Sequence, residues 1–410
     1  MLTVLRNRSF RLAWLSYTAS GAATSVMPVA LTLYVLDTQD GVAVLGLVLG
    51  ARTLGFILGA VLGGIVTDGY PRRAVLTIAS AVRGTMIFAS VAAFAVSVPL
   101  LCACVLLAGV GEGIFRGAYQ ALIGEVVPEE QRQRANAVST LSSRLLLVGG
   151  PTLAALVYIA VGGSVTLAVT GMLWLVSAAV ALALPRGAPR PSDAAKRRPF
   201  ADYGDVLREV GRHRWFVAGL GALMVWLAIG FAAQQLTLPL VSREQFGGDA
   251  FLGIALGAYS AGAVVAALVL SRWTPRHAGM VAFAGLGAFG LVPLALTVPD
   301  APVLILAAYV LGGAGIETFN ILWFSAIQRE VPSERMGRIF AFDFMVSYGF
   351  APIGLVVMPL VLTAFGQVPV LVTCGLLTLA AGAAALLVPG SRQLSDPRQP
   401  AGPRQKAVTA

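Results

Sequence analysis

Apolar runs of roughly 20 residues, interrupted by short clusters of charge, proline and glycine, recur along this chain, and that is the length a helix needs to cross a bilayer. Lipid offers backbone N–H and C=O groups no partner, so runs of this length predict helices, whose bonds are satisfied internally. Twelve spans are expected, near residues 10–36, 43–66, 74–97, 100–123, 135–160, 163–184, 215–240, 250–271, 278–297, 301–325, 338–363 and 366–388. Composition agrees: 57% of residues are hydrophobic and 12% charged, against about 45–50% and 25% in soluble domains. The basic, apolar start MLTVLRNRSFRLAWLSYTAS is expected to be a retained first span and not a cleaved leader, because its apolar run continues to Leu36.

The net charge of +10 lies in short basic clusters between spans, which points to a membrane surface and not to nucleic acid. With the N-terminus in the cytoplasm, four of the 29 Lys and Arg (Arg52, Arg83, Arg116, Arg144) fall inside spans and Arg243 falls outside the cell, leaving 24 on the cytoplasmic side. The positive-inside rule then orients the chain with both termini cytoplasmic. Asp37, Asp40, Glu244, Asp249 and Asp300 fall on the short outer loops. Cys102, Cys104 and Cys374 all sit in apolar runs and are expected to form neither a disulfide nor a metal site.

The chain divides into six spans (1–184), a basic segment (185–213), six more spans (214–389) and a polar tail (390–410) expected to be disordered. In the middle segment Phe200, Tyr203, Val206, Leu207 and Val210 share one face of a helix that would lie on the inner membrane surface; the segment also serves as a tether between the halves. The halves repeat. LGLVLGARTLG (45–55) stands over LGIALGAYSAG (252–262) at a separation of 207, and beyond the next loop the separation is 204, with PRR (71–73) over PRH (275–277) and Val127-Pro128 over Val331-Pro332. Glu130 and Arg134 likewise stand over Glu334 and Arg338. Two homologous six-span units in parallel explain the pattern.

Between spans two and three, Gly64, Asp68, Arg72 and Arg73 follow G-x-x-x-D-x-x-x-R-R. With the twelve spans and the 6+6 repeat, this resembles the major facilitator superfamily, whose members carry G-x-L-A-D-R-x-G-R-R/K at that place; here Gly69 replaces the usual Arg and Pro71 the usual Gly. The resemblance implies an all-α membrane protein of two pseudo-symmetric six-helix bundles around a central cavity lined by spans one, four, seven and ten. It also implies that the Gly64, Asp68, Arg72 and Arg73 loop latches the halves on the cytoplasmic side. Asp68 stands at the negative end of its own helix, so its partner must come from elsewhere, either the start of span eleven near Arg338 or a cytoplasmic Arg. GIFRGAYQALIGEVVPEEQRQRANAV (113–138) is similar to the span-four-to-five region of the branch that includes enterobactin and macrolide exporters: Phe115, Ala118, Val127, Pro128, Glu130, Ala135 and Asn136 agree, while Gly117 and Gly124 replace prolines.

An ionisable side chain at bilayer depth costs roughly 2.5 to 3.5 kcal/mol on insertion scales, so each one needs a partner, water or a task. On span four Glu112, Arg116, Tyr119 and Gln120 form one polar stripe, with Glu112 and Arg116 spaced for an internal i, i+4 pair. Span ten offers Glu317, Asn320 and Trp323, and span seven Trp226 and Gln234. The resemblance places these in the transport path, so Arg116, Tyr119, Gln120, Trp226, Gln234, Asn320, Trp323 and Arg52 are candidate cavity residues. Glu317, Asp343 and Glu112 are candidate proton carriers, in that order for Glu317 over Glu112, since desolvation favours a protonated carboxyl and pairing an ionised one. For Arg83, pairing across helices is the expected role.

No phosphate-binding loop, H-E-x-x-H or G-x-S-x-G occurs, so neither an ATPase nor another enzyme is expected, and no cofactor. The expected function is proton-coupled export of a small amphipathic drug, antibiotic or siderophore-like compound by a monomer in a bacterial plasma membrane. Import or facilitated passage of a metabolite stays open, and a non-transporting receptor or scaffold is the other class.

Overall fold

The first six spans become six helices in this computed structural model, α1 (Arg8–Thr38), α2 (Val42–Gly69), α3 (Arg72–Ala93), α4 (Val98–Val126), α5 (Glu129–Val161) and α6 (Gly163–Leu182). The structure describes residues 2–38, 42–185, 210–211, 213–330, 339, 342–343 and 345–395. Asn7 starts α1 by accepting the N–H groups of Ser9 and Phe10 at 3.0 and 3.2 Å, satisfying donors that the first helical turn leaves open. Ser97 does the same for α4, ahead of Pro99.

In the second half the seventh span is α7 (Arg214–Val225), a π-helical turn (Trp226–Phe231) and α8 (Ala232–Phe246). There follow α9 (Ala250–Leu270), α10 (Ala278–Ala288), α11 (Leu291–Ala295), α12 (Pro302–Glu330), α13 (Ala351–Phe365) and α14 (Gln367–Ala385). α13 is the regular part of the eleventh span, Met345–Phe365. Among the described residues no strand occurs and eleven helical segments are long and apolar enough to cross a membrane. Within the expected fifth span, the apolar stretch that falls wholly on described side chains is Gly149–Val161 of α5.

The sequence repeat is a repeat of helix crossings. A Cβ on Gly55 would stand 2.1 Å from the carbonyl oxygen of Leu106, and one on Gly262, 207 residues on, 2.1 Å or closer to that of Val310, at 2.0 Å. A Cβ on Gly109 would meet the Arg52 carbonyl at 2.3 Å, and one on Gly313 the Tyr259 carbonyl at 1.9 Å. Glycine therefore lets α2 touch α4, and α9 touch α12, backbone to backbone, as small residues do where lipid gives helices no hydrophobic reason to associate. The turns repeat as well: Gly162 between α5 and α6 and Gly366 between α13 and α14 both have φ +81°, a conformation glycine adopts without strain.

The halves meet along two equivalent seams. On one, Gly46 and Gly50 of α2 face Leu355, Val356 and Pro359 of α13; on the other, Gly253 and Gly257 of α9 face Ala155 and Thr152 of α5. Both seams lie near the start of α2 and α9 and the end of α5 and α13, so they close one end of the molecule. At the opposite end Arg116, Gln120, Phe324 and Tyr348 are exposed, and a Cβ on Gly117, Gly221 or Gly349 would meet nothing within 4 Å.

Two expectations about the polar segments change or pass out of view. Residues 186–209, which carry the Phe200-to-Leu207 face, lie outside the described residues, as do 396–410. The beginning of the tail, expected to be disordered from 390, is instead a run of turns docked on the second half: Arg392 accepts the N–H groups of Gly279 and Met280 at 3.0 and 3.2 Å, Arg329 donates to the Leu394 carbonyl at 2.9 Å, and Leu394 is buried. The open N-terminal donors of α10 explain the docking, which polarity alone did not suggest.

Candidate functional site

Because Gly109 brings α4 onto α2, Glu112, one turn further along α4, reaches Arg52: the Arg52 Nη2 donates to the Glu112 carboxylate at 2.8 Å, and both side chains are about one-sixth exposed, at 17% and 16%. The Glu112–Arg116 pair expected from helical spacing is thus replaced by a pair across helices. Arg116, one turn on, is exposed and near enough to Tyr348 of the eleventh span for its charge to act there. Gln120 is exposed on the same helix.

Arg83 of α3 is 1% exposed. It donates to Ser20 at 2.7 Å and to Thr24, both on α1, and its guanidinium lies 4.3 Å over the Trp174 ring of α6 and 5.7 Å from that of Phe115. A Cβ on Gly111 would press on its Cγ at 2.7 Å, so the arginine fills the space glycine leaves beside Glu112. Cation–π contact and two hydroxyls hold it in the core of the first half. Toward the open end, Tyr119 stacks on Tyr17 with ring centroids 3.9 Å apart, Tyr119 bonds Ser139 at 2.7 Å, Tyr17 bonds Ser143 at 2.6 Å and Trp14 donates to Ser142 at 2.9 Å. Tyr119 is buried in that stack and Tyr17 half-buried.

In the second half Asp343 and Glu317 are buried, 6% and 8% exposed. Asp343 accepts the indole N–H of Trp323 at 3.0 Å. Trp323 itself stacks between Phe216 and Phe319, with centroids at 5.0 and 5.3 Å, and meets Trp215 edge-on. Glu317 stands near the α9–α12 crossing and acts electrostatically on Tyr259, the residue that repeats Arg52. Trp226 packs edge-on to Phe289 within the second half, Gln234 is buried and Asn320 is half-buried.

Two of the loop residues make contacts within the first half. Arg72 pairs with Glu125 at the end of α4, and Arg73 donates to the Leu182 carbonyl at the end of α6, so both tie the start of α3 to neighbours in the same half. A cation at a helix C-terminus also meets the negative end of its dipole. The Asp68 side chain, Gly64 and the Arg144 side chain lie outside the described residues, as does Arg338.

Three features were not read from the sequence: the Tyr17–Tyr119 stack, the π-helical turn, and a cluster in which Arg243 joins Asp37 and Asp249. The signal for the last was present, since Arg243 is the lone cation among acidic outer-loop residues. An apolar pocket of about 430 Å³ between Ile229, Met358 and Leu377 is lined by none of the charges above. Among the described residues no group of three or more His, Cys, Asp or Glu is arranged to hold a metal ion.

Comparison with known proteins places this arrangement. The chain matches the profile of the Major Facilitator Superfamily over residues 13–348 and again over 228–410. It is 25% identical over 275 residues to the uncharacterized MFS-type transporter YvqJ of Bacillus subtilis (strain 168), covering 65% of this chain and 64% of that one. Solved structures share the fold at low identity: the nucleoside transporter NupG, with TM-score 0.71, 14% identity and 93% of this chain and 99% of that chain covered; a D-xylose-proton symporter, with 0.70, 15%, 96% and 99%; and a POT family transporter in complex with a thioalcohol-conjugated peptide, with 0.72, 13%, 95% and 97%.

Proposed function

The chain belongs to the Major Facilitator Superfamily, and from that premise we propose that it is a secondary active transporter that exports a small amphipathic compound in exchange for protons. The observation that carries this reading is the unequal surroundings of three membrane carboxylates. Glu112 already holds Arg52 across α2 and α4 in an ion pair, which a carrier would have to give up on each cycle, and this makes it the poorest carrier. Asp343 has a neutral indole N–H as its described partner and so loses less on protonation. Asp343 and Glu317 are the proton carriers, Arg116, Gln120 and Asn320 line the path, and Tyr119, Trp226, Gln234 and Trp323 shape its walls. Export is supported by the likeness of residues 113–138 to the exporter branch.

Transport proceeds by rocking of the halves about the central site. The described state, sealed along the two glycine seams and open at the other end, is then the one that faces the cytoplasm, where both termini lie in a bacterial plasma membrane. Gly64, Asp68, Arg72 and Arg73 latch the halves together when that end closes. The protein works as a monomer on a small-molecule substrate, without nucleic acid or cofactor.

An Asp343→Asn protein in vesicles is expected to lose substrate flux driven by a pH gradient while keeping substrate exchange in its absence. Flux that still follows the gradient in both Asp343→Asn and Glu317→Gln proteins would remove the coupling assignment. Expression in an efflux-deficient host with a panel of antibiotics and siderophores tests direction, because energised cells that accumulate the compound would show import.

A further inference from the structure

At the sealed end one guanidinium holds carboxylates from both halves. Arg243, in the last turn of α8, donates through Nε to Asp249 at 2.6 Å and through Nη2 to the other Asp249 oxygen at 3.0 Å, a two-pronged grip within the second half. The same Nη2 lies 2.6 Å from the Asp37 carboxylate of α1 and 3.4 Å from the Leu33 carbonyl, both in the first half. Tyr158 of α5 donates its hydroxyl to the second Asp37 oxygen. The described pairs Arg52–Glu112 and Arg72–Glu125, by contrast, each stay within one half.

The local structure is built to hold this grip. Gly247, at φ +71°, ends α8, and Ser242 donates to the Gly248 carbonyl at 2.6 Å while accepting the Leu252 N–H at 2.9 Å, which fixes the turn that presents Asp249. Asp37 stands at the negative end of α1, where an unpaired carboxylate is disfavoured. Tyr158 is one turn beyond Ala155, and Asp249 one turn before Gly253, so the cluster sits directly over the α5–α9 seam. Among the described residues the equivalent seam between α2 and α13 carries no such cluster: Tyr158, Asp249 and Arg243 correspond to Leu362, Val42 and Leu36, and of the four only Asp37, which corresponds to Glu244, keeps a charge. The cluster is therefore not a by-product of the repeat.

We propose that Arg243, Asp37, Asp249 and Tyr158 form an ionic clasp that holds this end shut and must break each time the end opens. The clasp rests on the rocking mechanism above, but its own chemistry is separable. Two carboxylates share one cation, so neutralising Arg243 leaves Asp37 and Asp249 repelling each other across the seam, whereas neutralising Asp37 only loosens it.

The test uses nitroxide pairs on the full chain with its three cysteines replaced: Ile159 with Ile254, both exposed near the clasp, and Tyr70 with Trp273, both exposed at the opposite end. Arg243→Gln is expected to give a longer-distance population for the first pair and a shorter one for the second. Asp37→Asn should lengthen the first pair less, and the Arg243→Gln, Asp37→Asn double variant, with the repulsion removed, should return toward wild type. Arg243→Gln protein that melts cooperatively yet leaves the Ile159–Ile254 distance unchanged overturns the clasp, as does a double variant more open than Arg243→Gln alone. If the first pair lengthens and the second stays fixed, the clasp stands and the rocking reading fails.

Discussion

A guanidinium at bilayer depth needs a counter-charge, and Arg52 and Arg83 draw on the same one. Arg52 touches the Glu112 carboxylate at 2.8 Å, while Arg83, with hydroxyl and aromatic partners, feels Glu112 as its favourable charge and Arg52 as an unfavourable one. Removing the carboxylate strands two cations; removing Arg52 leaves Glu112 and Arg83 to balance each other. Glu112→Gln is accordingly expected to lower the melting temperature of the detergent-solubilised protein more than Arg52→Gln does. Breaking a fully buried pair costs ~3–5 kcal/mol, and the partial exposure of this pair sets its own cost below that range. Equal shifts for the two variants would show that Arg83 does not depend on Glu112. The sequence showed that Glu112, Arg52 and Arg83 lie in spans, because charge in an apolar run is conspicuous. It did not show who pairs with whom: the spacing on α4 favoured Arg116, and the true partner depends on how closely α2 and α4 cross.

Those crossings belong to the elements, and there the sequence said more. Lipid forbids unpaired backbone, so span after span had to be helix, and the 207 and 204 separations already aligned Gly55 with Gly262 and Gly109 with Gly313. What remained hidden was the purpose of those glycines, since contact between backbones is a property of two helices and the repeat is a property of one string. The contacts predict sharply different outcomes for glycine substitutions, even for two on the same helix. Gly109→Ala and Gly313→Ala each force a methyl to within 2.3 and 1.9 Å of a carbonyl oxygen on the crossing helix, and each should cost at least the 1–3 kcal/mol typical of overpacking. Gly117→Ala on the same α4 meets nothing and should be neutral or stabilising by up to ~1 kcal/mol through helix propensity. Thermal unfolding of the three proteins decides it; a loss of stability at Gly117 as large as that at Gly109 would mean that the open face of α4 is packed.

At the scale of the molecule the same chemistry has a different consequence, because the proposed rocking requires the seams between halves to part. A methyl on Gly46 would stand 2.3 Å from the Leu355 carbonyl and 2.7 Å from Pro359, as tight as the crossings inside a half. Inside a half the clash has no escape and appears as lost stability. Between halves that rock as rigid bodies it is relieved by tilting, so it appears as a shift in population: an overpacking cost of ~1–3 kcal/mol borne by the sealed state alone favours the other by roughly 5–150-fold. Rigid rocking also dictates where the shift is seen. Gly46 lies on the α2–α13 seam, whereas Thr152 lies on the α5–α9 seam, where its hydroxyl is 3.5 Å from the Gly253 carbonyl. Gly46→Ala should therefore speed labelling of a single cysteine at Thr152 by an impermeant thiol reagent, with little change in melting temperature, although the two positions share no contact. Faster labelling beside Gly46 but not at Thr152 would mean that the seam yields locally and that the halves do not move as units.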